Sequence, residues 1–356
     1  MRTLGRPLPT ELERFLRSWD GAELFQESVR IYGLDNVLGS LLRANTSDRP
    51  AGLLPTDLVF GDTAAGELLV LDAQERVVRL RGLDDDEDTR AAESGWQPRW
   101  DERWFSGSTL ENWLAATVTH ELPLYDSEGE FVLEAFEEDG LALVPSFALK
   151  LARKVLRKDP ASAELHHALG VAQRRNGKVD EASLSFEQAA QLDPGNSWIW
   201  FDLGRSLLEQ DAWPAAAAAF GHAAAHSSER PLQAARFCVW QACAWKQDAN
   251  EPMRAAAASE ALRLSPTLQA DLQKAATAAV ADDDTDAYAQ IAPLLDAFVA
   301  VQATSKRLSL FSELPAPPQP QKPLPRPVRA KKPPPEKRLA ATRTKTKAPV
   351  RPKPKR

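Results

Sequence analysis

Two stretches of 34 residues, 163–196 and 197–230, repeat one pattern of small and large apolar residues. In the first, Leu169 and Gly170 stand at positions 7 and 8, Ala182 at 20, Phe186 at 24, Ala189 at 27 and Pro194 at 32. In the second, Trp200, Leu203, Gly204, Ala216, Phe220 and Ala223 stand at positions 4, 7, 8, 20, 24 and 27. A period of this length predicts helix–turn–helix units, each unable to bury its apolar face alone and so stacked on its neighbours. Gly170 and Gly204 let the two helices of a unit approach, Ala182 and Ala216 do so from the second helix, and Phe186 and Phe220 fill the space between units. Pro194 ends a second helix because its ring cannot continue the hydrogen-bond ladder. These residues build a scaffold and carry no chemistry.

The pattern resembles the tetratricopeptide repeat (TPR). Its register extends on both sides. Pro145 to Arg157 reads as the second helix of a preceding unit, with Ala148 at position 20 and Pro160 at 32. A third, degenerate unit covers about 231–266, with Phe237, Trp240 and Trp245 on its first helix, Ala258 and Ala261 on its second, and Pro266 at its end. Its inter-helix turn, Gln247 to Pro252, reads as stretched. Residues 267–312 continue as weaker helices broken by Asp282-Asp283-Asp284, expected to cap the stack with a polar outer face.

The resemblance implies a concave, partner-binding face lined by variable positions of each first helix. In the first unit these are Glu164, His167, Val171 and Arg174; in the second, Trp198, Phe201, Arg205 and Leu208, with Arg236 and Val239 next door. Aromatics beside arginines suit the anchoring of an extended peptide. The same Trp198 and Phe201 also suit packing against a neighbouring unit or the N-terminal region, and the sequence leaves both readings open. One TPR subclass holds chaperone C-termini through a clamp of Lys and Asn. The matching positions here hold His167, Val171 and Asp202, which disfavours that ligand.

Residues 1–125 mix helix and strand signals. Thr10 with Glu13 reads as a capping box ahead of Leu12, Phe15, Leu16 and Trp19 at helical spacing. Val29 to Tyr32, Leu58 to Phe60, Leu68 to Leu71 and Arg76 to Arg81 read as strands joined by short turns. Ser108 with Glu111 reads as a second capping box, opening a helix through Trp113, Leu114 and Val118. The order resembles the SUKH (Smi/Knr-like) superfamily. The resemblance is carried by Leu8-Pro9, Phe15-Leu16, Asp20-Gly21, Ile31-Tyr32-Gly33-Leu34, Phe60-Gly61-Asp62, and Gly66 leading into Leu68 to Asp72. It implies an α+β domain, an antiparallel sheet with flanking helices, that binds other proteins without catalysis, as bacterial toxin-immunity proteins and fungal cell-wall regulators do. The tryptophan-rich run Trp96 to Phe105 departs from the family.

The resulting division is an α+β domain at 1–125, an acidic linker at 126–144, an all-α TPR solenoid at 145–266, capping helices at 267–312, and a basic proline-rich tail at 313–356. The tail holds fourteen Lys/Arg against two Asp/Glu and thirteen prolines, a local charge of +12 that leaves −18 on residues 1–312. Such a composition buries too little apolar surface to offset its ordering entropy and is expected to be disordered. It fits three roles: nucleic acid held through phosphate contacts, an acidic partner or the acidic body of its own chain, or a solvated extension. No aromatic follows Phe311, which removes the stacking platform of single-strand binders.

Chemistry is sparsely signalled. Cys238 and Cys243 lie five residues apart on a helix and point to different faces, the pattern of two buried thiols in a reducing compartment. His222 and His226 have a chelating i,i+4 spacing but no companion Glu, Asp or Cys of a zinc site. His166 and His167 diverge around their helix. Asp84 to Asp88 lacks the Gly and closing Glu of a calcium loop, and Glu134 to Asp139 reads as acidic linker or helix start. Trp96, Trp100 and Trp104 recur every four residues, but Pro98 argues for packing over a helical ladder. With no phosphate loop or nucleophile elbow, no enzyme, metal or cofactor is expected. Arg2, Arg6, Pro7 and Pro9 interrupt any leader-like apolar run, and a cytoplasmic location with no membrane span is expected.

The sequence thus predicts a non-catalytic protein-binding module. The SUKH resemblance implies an immunity-type protein that sequesters a toxin or another specific protein, with the TPR groove as a second surface, and the −18 charge suits a basic toxin domain as that partner. The alternatives are a regulatory TPR scaffold unrelated to toxins and a nucleic-acid-associated factor tethered by the tail.

Overall fold

The computed structural model describes residues 4, 7–26, 28–34, 39–50, 53–81, 102–138, 140, 142–282 and 284–298. Helix α1 (Thr10–Ser18) opens the chain. Six strands follow: β1 (Ala22–Leu24), β2 (Val29–Ile31), β3 (Leu58–Thr63), β4 (Leu68–Leu71), β5 (Val77–Arg81) and β6 (Glu102–Gly107), with a short α2 (Leu41–Ala44) between β2 and β3. They pair antiparallel in sequence order, β1-β2-β3-β4-β5-β6. Gly66, at φ +76°, makes the tight turn that sets Asp62 against Leu68 and Val59 against Val70.

All four residues of β4 are buried. Leu58, Phe60, Leu69, Leu71 and Val77 join Leu12 and Trp113 on one face, while Val59, Leu68, Val70, Val78 and Leu80 form a second cluster. A sheet with both faces buried reads as continuous apolar runs rather than alternation, and Leu68 to Leu71 is such a run. β1 and β6 escaped the sequence reading: β1 is three residues long, and β6 carries Arg103, Trp104 and Phe105 with no alternation.

Both predicted capping boxes are corrected. Thr10 is already helical; Pro9 occupies the N-cap, and the Glu13 N–H donates to its carbonyl at 2.9 Å. Helix α3 (Leu110–Glu121) is capped by Thr109, whose hydroxyl accepts from the Asn112 N–H at 3.1 Å. Ser108 is drawn elsewhere. Its N–H and hydroxyl both donate to the buried Asp159 carboxylate, at 2.6 and 2.7 Å.

Short 3₁₀ turns at Leu122–Leu124 and Leu133–Ala135 and bridges pairing Tyr125 with Phe131 and Phe136 with Leu143 carry the chain to α4 (Pro145–Leu156). The 3₁₀ turn at Leu133–Ala135 is the structure found at the start of the Glu134–Asp139 stretch. The solenoid continues as α5 (Ala163–Arg175), α6 (Val179–Leu192), α7 (Ser197–Glu209), α8 (Trp213–Ala225), α9 (Pro231–Gln247), α10 (Glu251–Leu264), α11 (Leu268–Ala281) and α12 (Thr285–Asp296). Ala116 of α3 packs with Leu151 and Val155 of α4, so the helix closing the α+β half serves as the first layer of the stack. Sheet and solenoid belong to one compact unit.

The third unit departs from expectation. Three residues, 248–250, separate α9 from α10, as 176–178 and 210–212 separate the earlier pairs. Each turn passes through a left-handed residue: Gly177 at φ +71°, Asp211 at +58°, Ala249 at +55°. The extra length lies instead in α9, 17 residues against 13 in α5 and α7. No glycine or proline interrupts Cys243-Ala244-Trp245-Lys246-Gln247, and the helix runs on through these helix-compatible residues for about one more turn. At the far end, Ala297 and Phe298 are fully buried among Cys238, Val239 and Ala242 of α9.

The packing roles of the repeat residues follow from geometry. A Cβ on Gly170 would sit 2.6 Å from Phe186 Cε1, and one on Gly204 would sit 2.6 Å from Phe220 Cε1. Both rings are fully buried, as are Ala182 and Ala216. Gly204→Leu is therefore expected to destabilise the protein by roughly 3 kcal/mol, the upper end of the usual overpacking range. A thermal melt by circular dichroism checks it, and an unchanged transition would contradict the packing described.

Candidate functional site

The predicted groove residues recur every three or four positions along α5 and α7, which places them on one helix face. The structure sets that face against the edge strand β6. An edge strand leaves one row of backbone carbonyls unpaired in its sheet, and the helix N-caps take up two of them. Ser162, N-cap of α5, accepts from Leu165 N–H and donates its hydroxyl to the Ser106 carbonyl at 2.8 Å. Asn196, N-cap of α7, accepts from Trp198 N–H and donates its amide to the Arg103 carbonyl at 3.2 Å. Trp104 and Phe105 pack with Ala163, Ala189, Ala190 and Ile199 across this junction.

Between β6 and the helices lies a cavity of about 550 Å³. Trp104 walls it from β6, Leu151 and Val155 from α4, His167 and Val171 from α5, Trp198 and Asp202 from α7. His167 Nε2 lies 2.8 Å from Asp202 Oδ2, and its ring stands 5.0 Å from Trp104 and 5.4 Å from Phe186. Burial works against the Asp202 charge, but the His167 hydrogen bond and the charges of His167, Arg174 and Arg205 hold its carboxyl below the usual carboxylate range. The site is thus a mostly apolar slot with a polar His167–Asp202 corner and with His120, Glu164 and Arg175 also in its lining, the make-up of a binding cleft.

The ten predicted residues divide into groups. Glu164 faces the slot but is engaged by the sheet, paired with the Arg79 guanidinium and accepting from the Ser106 hydroxyl. His167, Val171 and Trp198 line the slot. Trp198 meets Phe201 and Phe237 edge-on at 5.7 and 5.6 Å. Phe201 also touches Phe220 and Trp240, so these aromatics tie neighbouring units together. Leu208 is half-buried against Ala216, Phe220 and Ala244. Arg174 Nη1 stands 3.6 Å from Asp202 Oδ1, Arg205 lies over the Phe201 ring at 5.8 Å, and Arg236 is exposed on α9. Val239, by contrast, is 1% exposed and belongs to the core. The wall residues Trp104, Leu151 and Val155 were not assigned to the site from sequence; the four-residue tryptophan spacing was the one signal for Trp104.

The other described histidines and cysteines are held in local contacts. His222 stacks on Trp200 at 4.6 Å, and His166 Nε2 lies 2.9 Å from the Pro160 carbonyl. Among the described residues no three His, Cys, Asp or Glu side chains gather as a metal site. Cys238 and Cys243 are free and buried, and burial pushes their thiols up to about 11 and about 12. Asp84 to Asp88, Trp96, Trp100 and the tail at 313–356 lie outside the described residues. Among the described residues no helix is long and apolar enough to cross a membrane.

A search against known families places the repeat. Residues 163–196 match the tetratricopeptide repeat. Those are the 34 residues of the first unit, and α4 to α11 continue it as a TPR-like solenoid. Among solved structures, the chain is similar to MamA residues 41 to the end from Desulfovibrio magneticus RS-1, at 18% identity, covering 46% of this chain and 88% of that one with a TM-score of 0.32. It is similar to Pseudomonas aeruginosa PilF at 20% identity, covering 43% and 68% with a TM-score of 0.32. It is also similar to YrrB, described as a TPR protein with an unusual peptide-binding site, at 17% identity, covering 45% and 83% with a TM-score of 0.31. No curated protein matches the sequence. The family match supports the repeat at 163–196, and no comparison supports the SUKH resemblance of residues 1–125.

Proposed function

We propose that this protein is a non-catalytic scaffold that holds a segment of a partner protein in the slot between β6 and the first helices of the TPR units. The observation that carries the reading is the cavity of about 550 Å³, apolar along α4 and at Leu165, Ala168, Val171 and Ala172 of α5, and polar at the His167–Asp202 corner. Its size and composition suit a few side chains of an extended peptide, with the hydrogen-bonded corner setting orientation. The sheet, anchored through Ser162 and Asn196, forms one wall and makes the slot a composite of both halves.

Display of random peptides against the full-length protein tests this. The selection is expected to enrich peptides that compete with one another. Val171→Glu, which adds a charge to the apolar wall, is expected to weaken them by about tenfold or more, since an unpaired charge in an apolar site costs over a kcal/mol. Recovery of no peptide, or of peptides indifferent to Val171→Glu, would overturn the groove reading.

The finer proposal for residues 1–125 is capture of a basic protein such as a nuclease toxin. The −18 charge on residues 1–312 supports it, because opposite fields raise association rates. Co-expression with toxins encoded nearby tests it, and failure to restore growth or form a complex would remove it.

A further inference from the structure

The segment that joins α3 to α4 carries a surface that the slot does not use. Between positions 126 and 140 stand seven Asp or Glu and no Lys or Arg. Interleaved with them, Phe131, Leu133 and Phe136 share a hollow of about 560 Å³ with Glu134, Glu137 and Glu138. Leu133 is 76% exposed and Phe131 48%. Apolar side chains exposed singly are ordinary on a protein surface, whereas apolar side chains gathered in one hollow with a polar surround mark a contact site.

The fold fixes the apolar part of this hollow. Phe131 pairs with Tyr125, and Phe136 with Leu143, in antiparallel bridges. The Val132 N–H donates to the Leu124 carbonyl and the Val144 N–H to the Ala135 carbonyl, both at 2.9 Å, and Leu124 and Ala135 are buried. Tyr125 stacks on Phe131 at 4.9 Å, and Phe136 meets Phe131 edge-on at 5.8 Å. A surface held in place in advance loses little entropy on binding. The three carboxylates are not equally committed. Glu137 accepts from the Arg175 guanidinium at 2.9 Å. No hydrogen bond or ion pair joins the side chain of Glu134 or Glu138 to any described residue.

An Arg side chain offers an apolar stem, a guanidinium that stacks on aromatic rings, and donors that match a carboxylate. We propose that this hollow docks an arginine-bearing basic segment of a partner protein, with the Arg lying on Phe131 and Phe136 and its guanidinium facing the Glu134 and Glu138 carboxylates. Charge selects this occupant. The acidic lining repels the phosphates of nucleic acid and of anionic lipid. It also repels residues 1–312 of a second copy, which carry −18. The assignment is independent of the slot and gives the protein a second binding surface, away from the first-helix face of the repeats.

Random-peptide display on the full-length protein tests it, with peptides that still bind Glu134→Gln/Glu138→Gln removed. The peptides that remain are expected to carry an Arg beside an apolar residue or proline. By fluorescence anisotropy, Arg→Gln in such a peptide is expected to weaken binding to the wild type about tenfold. Leu133→Asn, a change at an exposed position, is expected to weaken it about fivefold. Affinity is also expected to fall as salt rises from about 0.05 to about 0.5 M, a readout that needs no variant. Peptides that lose binding with Val171→Glu belong to the slot and are expected not to compete with these. Recovery of no such peptide, peptides without Arg, indifference to Leu133→Asn or to salt, or displacement by slot peptides would each overturn the assignment. A synthetic 313–356 peptide that binds the full-length protein more tightly than every recovered peptide would give the hollow to the tail of a second copy and overturn the partner assignment. Absence of slot peptides would overturn the groove reading alone.

Discussion

Phe220→Ala is expected to lower stability by about 3–5 kcal/mol, the cost of emptying a large aromatic site in a core that does not collapse. The ring is fully buried, with one edge against the bare backbone of Gly204. Phe201 and Trp240 each hold it at 5.8 Å from their ring centres. Gly204 has no side chain to move into the space, and Phe201 is itself engaged by Trp198 and Phe237. Stability in a repeat stack is set by each unit and its nearest neighbours. The loss therefore weakens the second unit and its contact with the third together. Urea unfolding followed by circular dichroism measures it, and a loss under about 1 kcal/mol would show that the ring is not the filler between units.

Asp57→Ala is expected to cost about 3 kcal/mol. Asp57 is fully buried and receives two hydrogen bonds from the Arg103 guanidinium, at 2.8 and 3.0 Å, and a third from the Leu54 N–H at 3.0 Å. Removing one partner of a buried pair costs about 3–5 kcal/mol because the other charge is left uncompensated. Arg103 keeps 29% of its side chain exposed, which puts the loss at the lower end. The consequence reaches the groove. Arg103 precedes Trp104 on β6, and its carbonyl accepts the Asn196 amide that ties the strand to α7. Urea unfolding is expected to show the loss, and peptide binding is expected to weaken with it. Unchanged stability would mean that the pair does not hold β6.

Legibility from sequence varied with the range of the interaction. Gly170 against Phe186 and Gly204 against Phe220 are contacts within one 34-residue unit, and the spacing alone exposed them. The strands with long apolar runs were equally plain. The helix starts were less so: Ser108 has the makings of a cap, but it is claimed by Asp159, 51 residues away. In the third unit, the surplus residues had a simple home in a longer helix, and only helix geometry distinguishes that from a longer turn.

By itself the sequence determined the TPR register, the packing residues and which side chains share one helix face. All of these follow from local periods of 3.6 and 34 residues. Tertiary structure alone decided how that face is used. It docked β6 on the N-caps of α5 and α7, engaged Glu164 with Arg79 and Ser106, spent Phe201 and Leu208 on packing between units, and left His167, Val171 and Trp198 facing a slot walled by Trp104. The reason is physical. A side chain's place on a helix is set by its neighbours in the chain, whereas its partner across the groove, as in Trp104 against His167, is set by long-range closure that no local pattern encodes.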